Sequence, residues 1–469
     1  MTRGRCYPDD IMSRARGGRG RRSNRAAPRA ARAPADAGAS IAVAALAATL
    51  VGASVLVDPR AESAFDAPKR LVTLLGIAVA AGALLALPRK GPEAGRSWRS
   101  WTTEQRLALV LTTAALALAL VASIVSPRRA TALDATRALF LSALLLPLGA
   151  SRALDGRRAW ILVGAFLGAC GVNAFVSLLQ FTGGLRLFSL ESVGGRLDVS
   201  AFAGNDGVLA LALALASVIG LALALSARSS AFRVLGGAGT VLLLGALAVN
   251  QSLTALTSLA AGSIVLVVLS LRGRSLIGAV VVVLVLAGGL LVHPTLSRRA
   301  HEAVAQIRAG HWDQALTYRG GPWAAALEMA RSRPLVGWGP GTFGAEFVTH
   351  RLGAELRLHR RLVNPSLAGS YTEAHSEYLQ ATAEAGVPAG LACLGAVGAL
   401  TVGVLRAIRR SPDGPARREA ILVLAILCAG GAAALTWFPL QRPITAVPLL
   451  LAAGRAWRCA GREDGAGAE

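Results

Sequence analysis

Ala37 through Val57, AGASIAVAALAATLVGASVLV, is the stretch whose reading decides the fold class. It is uncharged from end to end and, coiled as a helix, is long enough to cross the hydrocarbon core of a bilayer. The residues before it are its opposite. Met1 to Asp36 holds ten arginines among glycine, serine, alanine and proline, with no apolar periodicity. This composition predicts a disordered basic cytoplasmic tail. A cleaved signal peptide would need a shorter basic region and a small-residue cleavage site after a short apolar core, so Ala37–Val57 reads as a retained first span.

Similar apolar runs recur to the end of the 469-residue chain, which is 54% hydrophobic and only 16% charged. Soluble domains carry about a quarter charged residues, and the mean hydropathy here is +0.53. Twelve spans are expected, at 37–57, 70–87, 107–125, 133–149, 159–181, 205–225, 232–249, 254–271, 275–292, 376–405, 419–436 and 443–457. The fold class is therefore an all-α polytopic membrane protein with about 12 transmembrane helices and both termini cytoplasmic. Its parts are a tail (1–36), nine spans (37–292), a large periplasmic loop (293–374) with short helices, three more spans (375–457) and a second tail (458–469).

The formal charge of +23 does not require nucleic acid, because the arginines are dispersed among loops. Leaving out the long loop and the N-terminal tail, the side expected to be cytoplasmic carries 20 Lys and Arg against 8 on the other side. That is the positive-inside bias. Cys6, Cys170, Cys393, Cys428 and Cys459 lie in spans or tails without metal-type pair spacing, so neither a disulfide framework nor a zinc site is expected.

One connection is exceptional. Residues 293–374 form an outer loop that holds His293, His301, His311, His350 and His359, and the sixth histidine, His375, ends it. A long connection inside a compact chain is usually functional. Within it, Gly321–Arg333 predicts a helix with Trp323, Ala326, Leu327 and Ala330 on one face, stopped by Pro334. The glycine-rich turn Leu335-Val336-Gly337-Trp338-Gly339-Pro340-Gly341-Thr342-Phe343 follows, its backbone free to approach another chain or a ligand. A helix from His375 then places His375, Leu379, Thr382 and Gly386 on one face. The histidines of the loop lack metal-ligand spacing, and no metal or cofactor is expected.

His375 has two readings: a general base at a membrane boundary, or a histidine at a helix N-terminus satisfied by water or backbone. Arg319, Arg298, Arg299 and Arg196 have the chemistry to clamp phosphate oxygens in bidentate fashion; headgroup contact or loop ion pairing is the plainer role for each. Asn205-Asp206 opens the sixth span, where a helix cap is the plain role. Asn250, Gln251, Ser252 and Thr254 make a polar bridge between spans seven and eight.

The order of these pieces resembles the O-antigen ligase and polymerase superfamily. Four stretches carry the resemblance: Tyr318-Arg319…Trp323…Arg333-Pro334 through Phe343; His375-Ser376 with nine residues to Gly386; Gly195-Arg196 through Phe202-Ala203-Gly204-Asn205-Asp206; and Gln251-Ser252. Two departures stand out. Leu253 replaces an arginine that many members carry after the serine, and Ala389 stands where a glycine is frequent.

What the resemblance implies is metal-independent glycosyl transfer on the periplasmic side, from a glycan on undecaprenyl diphosphate. The acceptor hydroxyl would belong to the lipopolysaccharide core (ligase), a second lipid-linked or exopolysaccharide repeat (polymerase), or a protein. His375 and Arg319 would be catalytic; Arg196, Asn205, Arg298, Arg299, Trp323, Gly339, Gly341, Ser376 and Glu377 would bind substrate. The partners would be the lipid-linked oligosaccharide, the glycan or lipid A-core acceptor and the lipids of a bacterial inner membrane. The rival class is a transporter, which would place ionisable residues near mid-bilayer and often show repeated halves with broken helices. Here the spans are nearly free of acids.

Overall fold

The computed structural model describes residues 33–86, 98–185, 199–226, 229–271, 273, 294–310, 314, 318–359, 361–362 and 371–461. Among them there are α-helices and short 3-10 turns and no strand. In chain order the α-helices are α1 (Ala33–Val55), α2 (Asp66–Leu85), α3 (Thr103–Val125), α4 (Arg129–Ala143), α5 (Leu145–Ala150), α6 (Arg157–Phe181), α7 (Asp206–Ser226), α8 (Ser230–Asn250) and α9 (Leu253–Ser270). Then come α10 (Pro294–Arg308), α11 (Gly320–Ser332), α12 (Phe343–Leu358), α13 (Glu377–Ala385), α14 (Val387–Arg410), α15 (Pro415–Ala434) and α16 (Pro443–Ala460).

Nine candidate spans among the described residues are long and apolar enough to cross a membrane: α1, α2, α3, α4 with α5, α6, α7, α8, α9 and α14. Their outward faces explain why a bilayer is the solvent. Leu71 and Leu75 on α2, and Val234, Leu235 and Val241 on α8, each expose more than half their surface. Large aliphatic side chains would be unfavourable in water at about 25 cal/mol per Å², whereas lipid tails accept them. The centre is α7, whose apolar window is 78% buried. It packs on α6, α8, α9, α15 and α16. The chain is thus a multi-pass membrane protein.

Several expectations are corrected or fall outside the described residues. The ninth expected span, 275–292, and most of the two expected tails lie outside them. The expected spans 419–436 and 443–457 form α15 and α16, which are not among the nine candidates. Both carry charges, and these are paired: Arg455 contacts Glu419 and Asp155, and Arg458 contacts Asp155. The expected single helix 376–405 is two helices, because Gly386 adopts φ +87° between α13 and α14 and Pro388 opens α14. His375 is therefore outside any helix, and the face it was expected to share with Leu379, Thr382 and Gly386 does not exist. In the long loop α11 forms as expected, but its buried face is Pro322, Ala325, Ala326, Met329 and Ala330, while Leu327 is exposed.

Candidate active site

The break at Gly386 is the seat of the glycine-rich turn. Trp338 and Gly339 donate their N–H groups to the carbonyls of Ala383 (3.1 Å) and Glu384 (2.7 Å), and Val387 donates to Pro334 at 2.8 Å. Two pieces of backbone cross here at van der Waals distance. A Cβ on Gly337 would lie 2.4 Å from the Glu384 carbonyl oxygen, and one on Gly386 would lie 2.4 Å from that of Leu335. Both glycines have positive φ, so the crossing needs glycine for space and for conformation. On its other side the turn meets the α3–α4 corner: Ser126 donates to the Trp338 carbonyl, and Gly339 and Gly341 abut Ala132 and Ala135. The lack of a side chain at those two glycines lets the turn pack closely against α4.

Beneath the crossing a carboxylate network runs to His375. Glu384 accepts from the Phe343 N–H (3.1 Å) and from the Gln380 amide (3.1 Å), and Gln380 accepts from the Ala374 N–H at 2.9 Å. Burial pushes the Glu384 carboxyl up to about 7 against the pull of those hydrogen bonds. The next residue after Ala374, His375, sits at φ +54°, a left-handed conformation uncommon outside glycine. Its carbonyl accepts from the Trp323 indole N–H at 3.2 Å. Its Nδ1 lies 3.1 Å from the Glu373 carbonyl oxygen. A carbonyl can only accept, so Nδ1 carries the hydrogen and Nε2 keeps its lone pair in the neutral ring. Burial holds the imidazole pKa down at about 4, and Arg319 and Arg442 push in the same direction.

Three aromatic rings meet the imidazole edge-on: Tyr371 at 5.6 Å, Trp437 at 5.2 Å and Phe438 at 5.2 Å between centroids. Trp437 and Phe438 are themselves stacked at 4.6 Å. Arg319 places its guanidinium over the Trp437 ring at 5.8 Å and donates to the Thr254 hydroxyl at 3.5 Å. No carboxylate pairs with it among the described residues. Burial weakens its hold on the proton, and Tyr371 opposes that shift. Tyr318, just before it, is also left-handed (φ +60°), and the Tyr371 hydroxyl donates to the Tyr318 carbonyl at 3.3 Å. His375 and Arg319 therefore share the Trp437 ring as a common wall, though they are far apart in the chain.

The remaining expected residues divide. Asn205 caps α7, accepting from the Val208 N–H at 3.0 Å, and nearby Gly207 faces the Trp437 indole. Ser376 is buried at the start of α13. Glu377 accepts from the Leu440 N–H at 2.7 Å, tying α13 to the α15–α16 connection, and burial raises its carboxyl to about 7. Arg298 is exposed on α10 and its ion pair is with Glu302 at 3.6 Å, so the structure does not bring it to His375. The Arg299 side chain and Arg196 lie outside the described residues. The sequence reading missed Tyr371, Trp437, Phe438 and Arg442. The signal for the last three was the segment Thr436-Trp437-Phe438-Pro439-Leu440-Gln441-Arg442, an aromatic and polar interruption between two apolar runs.

Fold and site together define a polytopic membrane protein with a desolvated histidine gathered, beside its helical bundle, with an arginine that no described carboxylate pairs. Residues 238–394 match the family model described as O-antigen ligase. This third of the chain runs from α8 into α14, taking in Arg319, the glycine-rich turn and His375, and it supports placement in the O-antigen ligase and polymerase superfamily. No curated protein matches the chain.

Proposed function

We propose that the protein transfers a glycan from a lipid-linked diphosphate donor, undecaprenyl diphosphate in a bacterial inner membrane, to an acceptor hydroxyl on the periplasmic side. The observation that carries this is a pairing against one indole. A neutral imidazole with its lone pair on Nε2 stands beside a guanidinium that has no acid partner among the described residues. In the proposed step the acceptor O–H gives its proton to His375 Nε2 while its oxygen attacks the anomeric carbon. The anomeric C–O bond breaks, and its electron pair leaves on the lipid diphosphate, which Arg319 neutralises. Attack opposite the leaving group inverts the anomeric centre. The charge that develops on the diphosphate meets a preorganised cation in a dry site, where such stabilisation is strongest.

Leu253, in the place of a family arginine, is adjacent to Thr254, the residue Arg319 touches. Arg319 therefore brings a positive charge to the N-terminus of α9, whose macrodipole has the same sign. An imidazole pKa near 4 makes a weak base; a donor diphosphate beside it would raise that value by adding negative charge nearby. The charge bias of the short loops supports the periplasmic side.

The acceptor we favour is the lipopolysaccharide core. The test is transfer by purified protein from lipid-linked donor to lipid A-core, with glycan analysis of a deletion strain. Loss of long chains on lipid A-core, with His375→Ala inactive, is the expected result. Full transfer by His375→Ala removes the base assignment. Shortened repeats, or an unglycosylated protein, would move the acceptor to the polymerase or protein branch.

A further inference from the structure

We propose that Arg442 is a positioning residue for the His375 base, holding the backbone carbonyl that fixes its tautomer and the ring that walls it. The inference rests on the reading of His375 as the base, and it concerns a residue outside the matched segment 238–394. Arg442 ends the connection between α15 and α16. Its guanidinium is an ion-pair partner of Asp66, the first residue of α2, and of Glu373 at 2.9 Å. It also lies over the Phe438 ring at 5.3 Å. Glu373 is the residue whose carbonyl takes the Nδ1 hydrogen of His375, and Phe438 meets the imidazole edge-on. One side chain thus grips two of the groups that define where the imidazole stands.

The partners separate Arg442 from Arg319. Two carboxylates flank Arg442, so its charge is already answered within the protein. Arg319 has no such partner among the described residues and is the one open to an anionic substrate. Geometry also requires arginine. A guanidinium fork can reach two carboxylates while lying on a ring, whereas a lysine ammonium is a point charge that satisfies one. If Glu373 is released, rotation of its peptide takes the carbonyl from Nδ1. The ring can then flip or take the other tautomer, and the nitrogen presented to an acceptor hydroxyl changes. The groups facing His375 are Glu373 and Tyr371 on its own segment, Arg319 from the α11 side, and Trp437, Phe438 and Arg442 from the α15–α16 connection.

The experiment labels histidine with ¹⁵N in the full-length protein in lipid nanodiscs and assigns His375 by the loss of its signals in His375→Gln. Wild type should show the Nδ1–H tautomer and titrate well below an ordinary histidine. Arg442→Gln should lose that single tautomer and titrate higher, and its kcat for glycan transfer should drop about tenfold with donor KM within about twofold. Arg442→Lys should fall between. Wild-type His375 signals together with wild-type kcat in a folded Arg442→Gln protein would overturn the proposal. If Arg442→Gln does not fold, Glu373→Gln removes one arm of the fork and leaves the Asp66 pair. It is read by the same signals and the same kcat: a lost tautomer with lowered kcat upholds the proposal, and wild-type values overturn it. Shifted His375 signals in a protein that transfers no glycan even as wild type would uphold the positioning role and fail the transferase reading instead.

Discussion

The indole N–H of Trp323 donates to the backbone carbonyl of His375 across 3.2 Å, joining the first turn of α11 to the residue before α13's cap. His375 is left-handed, so its carbonyl points where no regular helix would place it. The hydrogen bond satisfies that carbonyl and holds the strained peptide in place. Trp323→Phe keeps an aromatic ring and removes the donor. Thermal unfolding in detergent should show a loss of about 1 kcal/mol, the usual cost of one such bond. The kcat for glycan transfer should fall about tenfold through misplacement of the base. Unchanged kcat would show that His375 keeps its position without the indole.

The crossing of the glycine-rich turn over the α13–α14 break makes a sharper prediction for stability. Gly386→Ala places a methyl 2.4 Å from the Leu335 carbonyl oxygen and forces alanine to φ +87°. The backbone conformation alone should cost about 1–3 kcal/mol, and the clash adds to it. Gly398→Ala, in the same apolar run on α14 with open space around it, is the control. It should be neutral or stabilising by up to about 1 kcal/mol, because alanine is the better helix former. Equal melting temperatures for the two variants would contradict the crossing.

These glycines also show what the sequence could and could not disclose. The class of fold is legible in Ala37–Val57 and its repeats, because a bilayer demands long apolar helices. Arg319 and Trp323 stand out because they flank the Gly320-Gly321-Pro322 break, and His375 because it ends the long loop just before an apolar run. What packs against the glycines shows only in three dimensions: the neighbours of Gly339 and Gly341 are Ala132 and Ala135 on a helix far earlier in the chain. The helical face drawn through His375 failed for a related reason. Periodicity continues through Gly386 in the letters, whereas the chain turns left-handed there and at His375. The interruption that holds Trp437, Phe438 and Arg442 is visible in the letters, but its link to His375 is tertiary and nothing in the order of residues announces it.

The buried carboxyl of Glu384 predicts a pH-dependent stability difference. Its pKa rises from 4.5 to about 7 on folding, through burial. The folded state therefore binds a proton the unfolded state has released between those values. The associated stability is complete below pH 4.5 and lost as pH rises through 7. Glu384→Gln retains an oxygen to accept from Phe343 or Gln380 and has nothing to ionise. Relative to wild type, it should gain stability between about pH 5 and 7 by about 1–3 kcal/mol and then level off. Melting curves of both proteins at about pH 5, 6, 7 and 8 test this. A difference that does not change with pH would mean the carboxyl is ionised throughout.

Arg319 and His375 make the last prediction, because the charge of the first lowers the proton affinity of the second. The guanidinium lowers the imidazole pKa, adding to burial. The acid limb of kcat/KM reports the free enzyme and should lie well below an ordinary histidine, near about pH 4 to 5. The limb of kcat reports the complex, where the donor diphosphate supplies negative charge, and should lie higher. Arg319→Gln removes the nearby cation, so the kcat/KM limb should move up, while kcat falls about 10²-fold or more with the loss of leaving-group stabilisation. Arg319→Lys separates charge from shape. It keeps the positive charge and should leave the acid limb near the wild-type position, yet its single ammonium cannot make the bidentate contact, so kcat should remain depressed. Near-normal kcat in the lysine variant would show that Arg319 acts as a point charge, and an unmoved limb in the glutamine variant would show that it does not act on His375 at all.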